Sequence, residues 1–164
     1  MTDISATSRM AKAAEAMKSL IAASSTFQTM VGAASAAAAK ASIYLGAYTP
    51  AGAIARPFAL VSSVSADRFS KTGLSGWVEN GSFKILIERD IAAGYQPDDR
   101  QNDAELEFRN LIGKLLEEIA DLSCQPGYLV LRSIEITDGP YRYESKTGQP
   151  EVMGCWMAAE WGLE

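Results

Sequence analysis

The feature that most constrains this chain is one amphipathic helix set between two pairs of strand-like runs. Apolar side chains recur at Phe108, Leu111, Ile112, Leu115, Leu116, Ile119 and Leu122, the spacing of one helical face. Phe58–Val64 and Trp77–Asp90 precede it, and Tyr128–Thr137 and Val152–Trp161 follow it. A helix with a single apolar stripe must bury that stripe against another layer. The expected fold is therefore α+β: an antiparallel sheet of about four main strands, a central helix packed on one face, and N-terminal helices.

Within Trp77–Asp90, Phe83, Ile85 and Ile87 share one face, while Lys84, Glu88 and Asp90 share the other. Leu86 lies on the polar side, which predicts that the second face is partly covered. Asn80-Gly81 reads as a turn, with Trp77-Val78-Glu79 folded back across it. Ser70–Gly76 reads as a loop, Ile43–Tyr48 as a short strand, and Thr49–Gly52 as a turn. Asn102 and Glu105 stand at capping-box spacing for the central helix, and Gln125-Pro126-Gly127 stops it. Asp138-Gly139-Pro140 is expected to end the third strand, leaving Tyr141–Pro150 as a loop.

The N-terminal part is rich in Ala and Ser, and alanine makes helix the default. Residues 1–18 lack a strong stripe and read as a helical arm, with 19–164 as a single α+β domain. Leu20, Ile21, Phe27, Met30 and Val31 can form one helical face, with Gly32 as its C-cap. Ala33–Ala41 is expected to be a close-packed helix of small residues.

Chemistry is sparse. Among 164 residues there is no histidine, the commonest general base and metal ligand. Cys124 and Cys155 do not make a disulfide or zinc framework and read as buried free thiols of a reducing compartment. Asp98, Asp99, Asp103 and Glu105 lack calcium-loop order, and helix-entry charge accounts for them. Glu79, Glu88, Glu135 and Asp138 could supply a carboxylate pair, but charged solvent-face residues on strands are the commoner explanation. No phosphate-binding glycine loop occurs. No cofactor, metal or catalytic residue is expected, and the chain reads as not an enzyme. The net charge of −5 disfavours held nucleic acid. No signal-peptide layout or membrane span is seen, so an intracellular soluble protein is expected.

The last strand is rich in large soft side chains. Met153, Cys155, Met157 and Trp161 share one face, and core is one explanation for them. A subunit interface is the other, with candidates Trp156, Met157 and Trp161 there and Tyr141, Arg142 and Tyr143 in the loop before it. Lys71 and Leu74, in the Ser70–Gly76 loop, complete the set.

Several segments carry a family likeness: Leu20-Ile-Ala-Ala-Ser-Ser-Thr-Phe-Gln-Thr-Met-Val-Gly32, Arg56-Pro-Phe-Ala-Leu-Val61, Gly81-Ser-Phe-Lys-Ile-Leu-Ile-Glu88, Phe108-Arg-Asn-Leu-Ile-Gly113 and the closing Glu160-Trp-Gly162. In order and spacing they resemble small neck and tail proteins of long-tailed bacteriophages, the tail terminators and tail-completion proteins. The resemblance implies a structural virion protein forming a homo-oligomeric ring, commonly a hexamer. Such a ring caps the tail tube, ends its polymerisation and meets the head connector, while DNA passes through unbound. Location would be the virion, and the host cytoplasm during assembly. Alternatives are a head-closure neck protein, a non-viral dimeric adaptor, or a small hydrolase using carboxylates.

Overall fold

The computed structural model describes residues 9–46, 54–72, 76–91, 101–144 and 151–162, with side chains excepted at 9–10, 63–72, 76–80, 101–103, 143–144 and 151. Helices α1 (Arg9–Ala23), α2 (Ser25–Val31) and α3 (Ala36–Ala39) come first, followed by a 3-10 turn at Lys40–Ser42. Strand β1 (Ile43–Leu45) leads to the long pair β2 (Phe58–Thr72) and β3 (Gly76–Asp90). Helix α4 (Gln101–Ser123) then connects to β4 (Leu131–Glu144) and β5 (Glu151–Gly162). The class is α+β, as the sequence predicts. The sheet has five strands rather than four, in the order β1-β2-β3-β5-β4. It is mixed, because the short β1 runs parallel to β2 while every other pair is antiparallel.

The predicted stripe of α4 packs on the sheet. Ala104, Phe108, Ile112, Leu115 and Ile119 are buried against Phe83, Ile85 and Ile87 of β3 and Met153, Cys155, Met157, Ala159 and Trp161 of β5. Burial of the Phe, Ile, Leu and Met side chains among them stabilises each by roughly 1.5–3 kcal/mol relative to exposure. Helix α1 adds Ala13, Met17, Leu20 and Ile21 to the same cluster. The boundary expected at residue 18 therefore falls inside a continuous helix. Met17 is fully buried, so the described part of the arm belongs to the core. The weak sequence stripe was misleading because alanines leave room for close helix packing without registering as strongly apolar.

Chain breaks follow side-chain chemistry. Ser24 interrupts what reads as one helix from Ser19: its hydroxyl accepts from the Phe27 N–H at 3.1 Å and starts α2 afresh. Gly32 closes α2 at φ +67°, with its N–H bonded back to the helix. The expected alanine helix is only one turn, capped by Ser35. Helix α4 begins at Gln101, so Asn102 lies within its first turn and not at the cap. The expected Thr49–Gly52 turn, along with Asp98 and Asp99, lies outside the described residues.

Three strand boundaries differ from expectation. Asn80-Gly81 is not a turn: both residues lie inside β3, where Asn80 pairs with Arg68 on one side and Gly162 on the other. Flanking strands on both sides override a local turn signal. Strand β2 runs through Ser70 to Thr72, and β3 begins at Gly76, so both ends of the expected loop lie in strands, and residues 73–75 lie outside the described residues. Strand β4 starts at Leu131, not Tyr128, and continues through Asp138-Gly139-Pro140 to Glu144. Gly139, at φ +107°, and Pro140 are taken up between register shifts. Pro140 can sit there because β4 is an edge strand among the described residues, a position where proline is tolerated.

Candidate interaction surface

With one sheet face filled by helices, attention falls on the other face, the two edges and the polar clusters. The second face carries its own apolar group: Phe58, Leu60 and Leu86 are buried, with Ile54, Tyr141 and Trp156 packed against them. Leu86 on the polar side of β3 had pointed to this cover. Around the group, Lys84 Nζ stands 5.2 Å from the Trp156 ring, a cation–π distance. Tyr141 donates its hydroxyl to Glu88 Oε1 at 2.8 Å. Glu88 is only 2% exposed, and Arg56 lies 3.9 Å away while holding Asp90 at 2.7 Å. Gly154 makes the tyrosine's position possible, since a Cβ there would lie 2.6 Å from the Tyr141 hydroxyl. Burial with bonded partners makes Glu88 a structural carboxylate.

A second polar cluster ties helices together. Glu118 of α4 accepts from Ser24 Oγ at 2.5 Å, Ser25 Oγ at 2.8 Å, Thr26 N at 3.0 Å and Thr26 Oγ1 at 2.8 Å. Burial works to raise its pKa, but the bonds from Ser24, the Thr26 N–H, the Thr26 hydroxyl and Ser25 outweigh it, and the carboxyl is held at about 2 against an ordinary 4.5. An anion at the start of α2 also answers the unpaired N–H groups of that helix. Sequence reasoning missed this cluster, because nothing local connects Ser24 with Glu118.

The candidate interface residues separate into groups. Met157 and Trp161 are buried in the helix-side core, where Trp161 stacks on Phe83 at 6.3 Å, and they are unavailable as surface. That corrects the expectation for both: strand alternation turns them toward α4. Trp156 lies on the opposite face, half-buried beside Tyr141. Tyr141, Arg142 and Tyr143 belong to β4 rather than a loop, paired with Gly154, Met153 and Val152. Lys71 is in β2, opposite Trp77. Leu74 lies outside the described residues. Cys155 is buried, with its thiol pushed up to about 12 by desolvation, but Cys124 is exposed, contrary to expectation.

The two edges of the sheet are unlike. On one, β2 is covered by β1 only at Ala59–Val61. The ladder between β3 and β5 ends at Asn80↔Gly162, while β2 and β3 remain paired out to Thr72↔Gly76. Among the described residues, the β2–β3 hairpin therefore continues as a two-stranded ribbon beyond the sheet. The opposite edge is β4, with Ile136 43% exposed. A cleft of about 140 Å³ runs beside it, between α4 and β4, lined by Phe108, Ile112, Gly113, Ile136 and Pro140 among others. No group of His, Cys, Asp or Glu able to hold a metal occurs among the described residues, and none of their helices is long and apolar enough to cross a membrane. Comparison with known proteins finds no family model that matches the chain and no curated protein similar to it in sequence.

Proposed function

We propose that this chain is a structural protein of a long-tailed phage particle, acting as a ring at the end of the tail tube. One observation carries the reading: among the described residues the two edges of the sheet differ in character, with a two-stranded ribbon at one and a long strand beside an apolar cleft at the other. Head-to-tail rings need two different, complementary patches on each subunit. A two-fold dimer needs only one self-complementary patch, so the asymmetry favours a ring over a dimeric adaptor. The phage assignment itself rests on the resemblance, in order and spacing, of the five segments from Leu20–Gly32 to the closing Glu160-Trp-Gly162.

In this reading the work is geometric and involves no catalysis or cofactor. One face of the ring matches the last layer of tube protein and denies the next subunit its docking surface, while the other face meets the head connector. A net charge of −5 lets DNA pass without being held. Sedimentation of the purified chain tests the ring: a discrete oligomer, sixfold if the family pattern holds, is expected, and a strict monomer at high concentration and in particles overturns it. Particles assembled without the protein test the position. Overlong tails support termination of the tube; tailless or leaking heads would move the ring to the head side as a closure protein.

A further inference from the structure

We infer that copies of this chain join by strand addition, with the β2 edge of one copy's ribbon, Arg68–Thr72, pairing antiparallel with Ser133–Ile136 of β4 in the next copy. The inference rests on the ring reading and names its contact. Topology sets the direction. Strand β2 is antiparallel to β3, β3 to β5, and β5 to β4, so β2 and β4 run in opposite senses. A second copy placed beside β4 with its helices on the same side therefore presents β2 antiparallel to β4. The sheet then continues from subunit to subunit, and each copy donates one edge and receives the other.

The two segments match in form. Irregularities in β2 fall between Ser63 and Arg68, leaving Arg68–Thr72 regular. Shifts and Pro140 blunt β4 at Leu131–Ser133 and from Ile136 to Tyr141, leaving Ser133–Ile136 and Tyr141–Glu144 regular, and the cleft reaches the first of these at Ile136. A ribbon of two strands is marginal in water by itself, and a third strand alongside would stabilise it.

They also match in chemistry. The ribbon's ladder includes Phe69, opposite Glu79, and Trp77, opposite Lys71. On β4 the helix side carries exposed Ile136 and the cleft, at a point where Gly113 of α4 has no side chain. The ribbon thus contributes aromatic residues by sequence to an edge that has an apolar vacancy. Arg68 pairs in the ladder with Asn80, and Glu135 and Asp138 pair with Ala158 and Trp156. Both acids are exposed, so a cation of one copy meets two anions of the next.

Charge reversal tests the contact. Arg68→Glu in one variant, and Glu135→Arg with Asp138→Arg in another, should each raise the concentration needed for assembly about tenfold or more. Mixing the two should restore it, because each variant's ribbon then opposes the other's edge with opposite charge. A Gly113→Leu variant fills the cleft at a helical position where an added Cβ meets open space. It should keep or gain thermal stability while losing assembly, so misfolding cannot account for the result. Assembly indifferent to all three variants, or folded charge variants that fail to recover on mixing, overturns this contact and leaves the ring reading standing. An unaltered chain that stays monomeric removes both.

Discussion

At the residue scale, the most consequential side chain is Glu118, which accepts all four hydrogen bonds described above from Ser24, Ser25 and Thr26. Glu118→Ala leaves the fully buried Ser24 and an α2 N–H without their acceptor, a loss of about 2 kcal/mol in urea unfolding at neutral pH. The pH dependence has a definite sign. Because the folded pKa is depressed, the stabilisation is complete above the ordinary value of 4.5 and is lost as pH falls toward about 2. The Glu118→Gln variant should lack this acid sensitivity, and an unchanged profile would dismiss the cluster as decoration. The two cysteines give a second residue-level prediction. Exposed Cys124 should react with a thiol reagent quickly, and Cys155, buried with its thiol near pKa 12, only in denaturant. Two fast thiols per folded chain would contradict the packing of β5.

At the scale of elements, α1 is a part of the core that its sequence understates. Met17→Ala should cost about 3 kcal/mol, the usual range for a buried methionine, because Met17 is fully buried. If residues before 19 formed only a detachable arm, the same substitution would leave the thermal midpoint unchanged. On the second face, Gly154 is an element-level device: it lets β4 and β5 approach with Tyr141 lying across them toward Glu88. Gly154→Ala should displace Tyr141, break its bond to Glu88 and lower stability by roughly 1–3 kcal/mol. Tyrosine fluorescence and the unfolding midpoint would register that change together.

For the whole molecule, the question is how a sheet with two unlike edges is completed. One face is filled by α1 and α4 while the other is buried only around Phe58, Leu60 and Leu86, and the edges supply the backbone groups that strand addition uses. A contact joining Arg68 to Glu135 and Asp138 near the surface is screened by salt, with a Debye length of about 10 Å at 0.1 M. Raising ionic strength should therefore weaken assembly, whereas an interface resting on apolar burial alone would hold or strengthen. Light scattering across a salt series separates the two.

The sequence by itself determined the local architecture. The stripe from Phe108 to Ile119, the alternation of β3 and β5, and the cap at Gly32 are written within a few residues of one another, and the structure has them where they were expected. Leu86 even pointed to a partly covered second face. Tertiary structure decided what depended on partners far along the chain. It kept Asn80-Gly81 extended between β2 and β5, carried β4 through Gly139-Pro140, and turned Met157 and Trp161 inward. It also brought Glu118 to Ser24. The physical reason is one of range: periodicity and capping are local energies, whereas strand pairing and burial are earned only when distant segments meet.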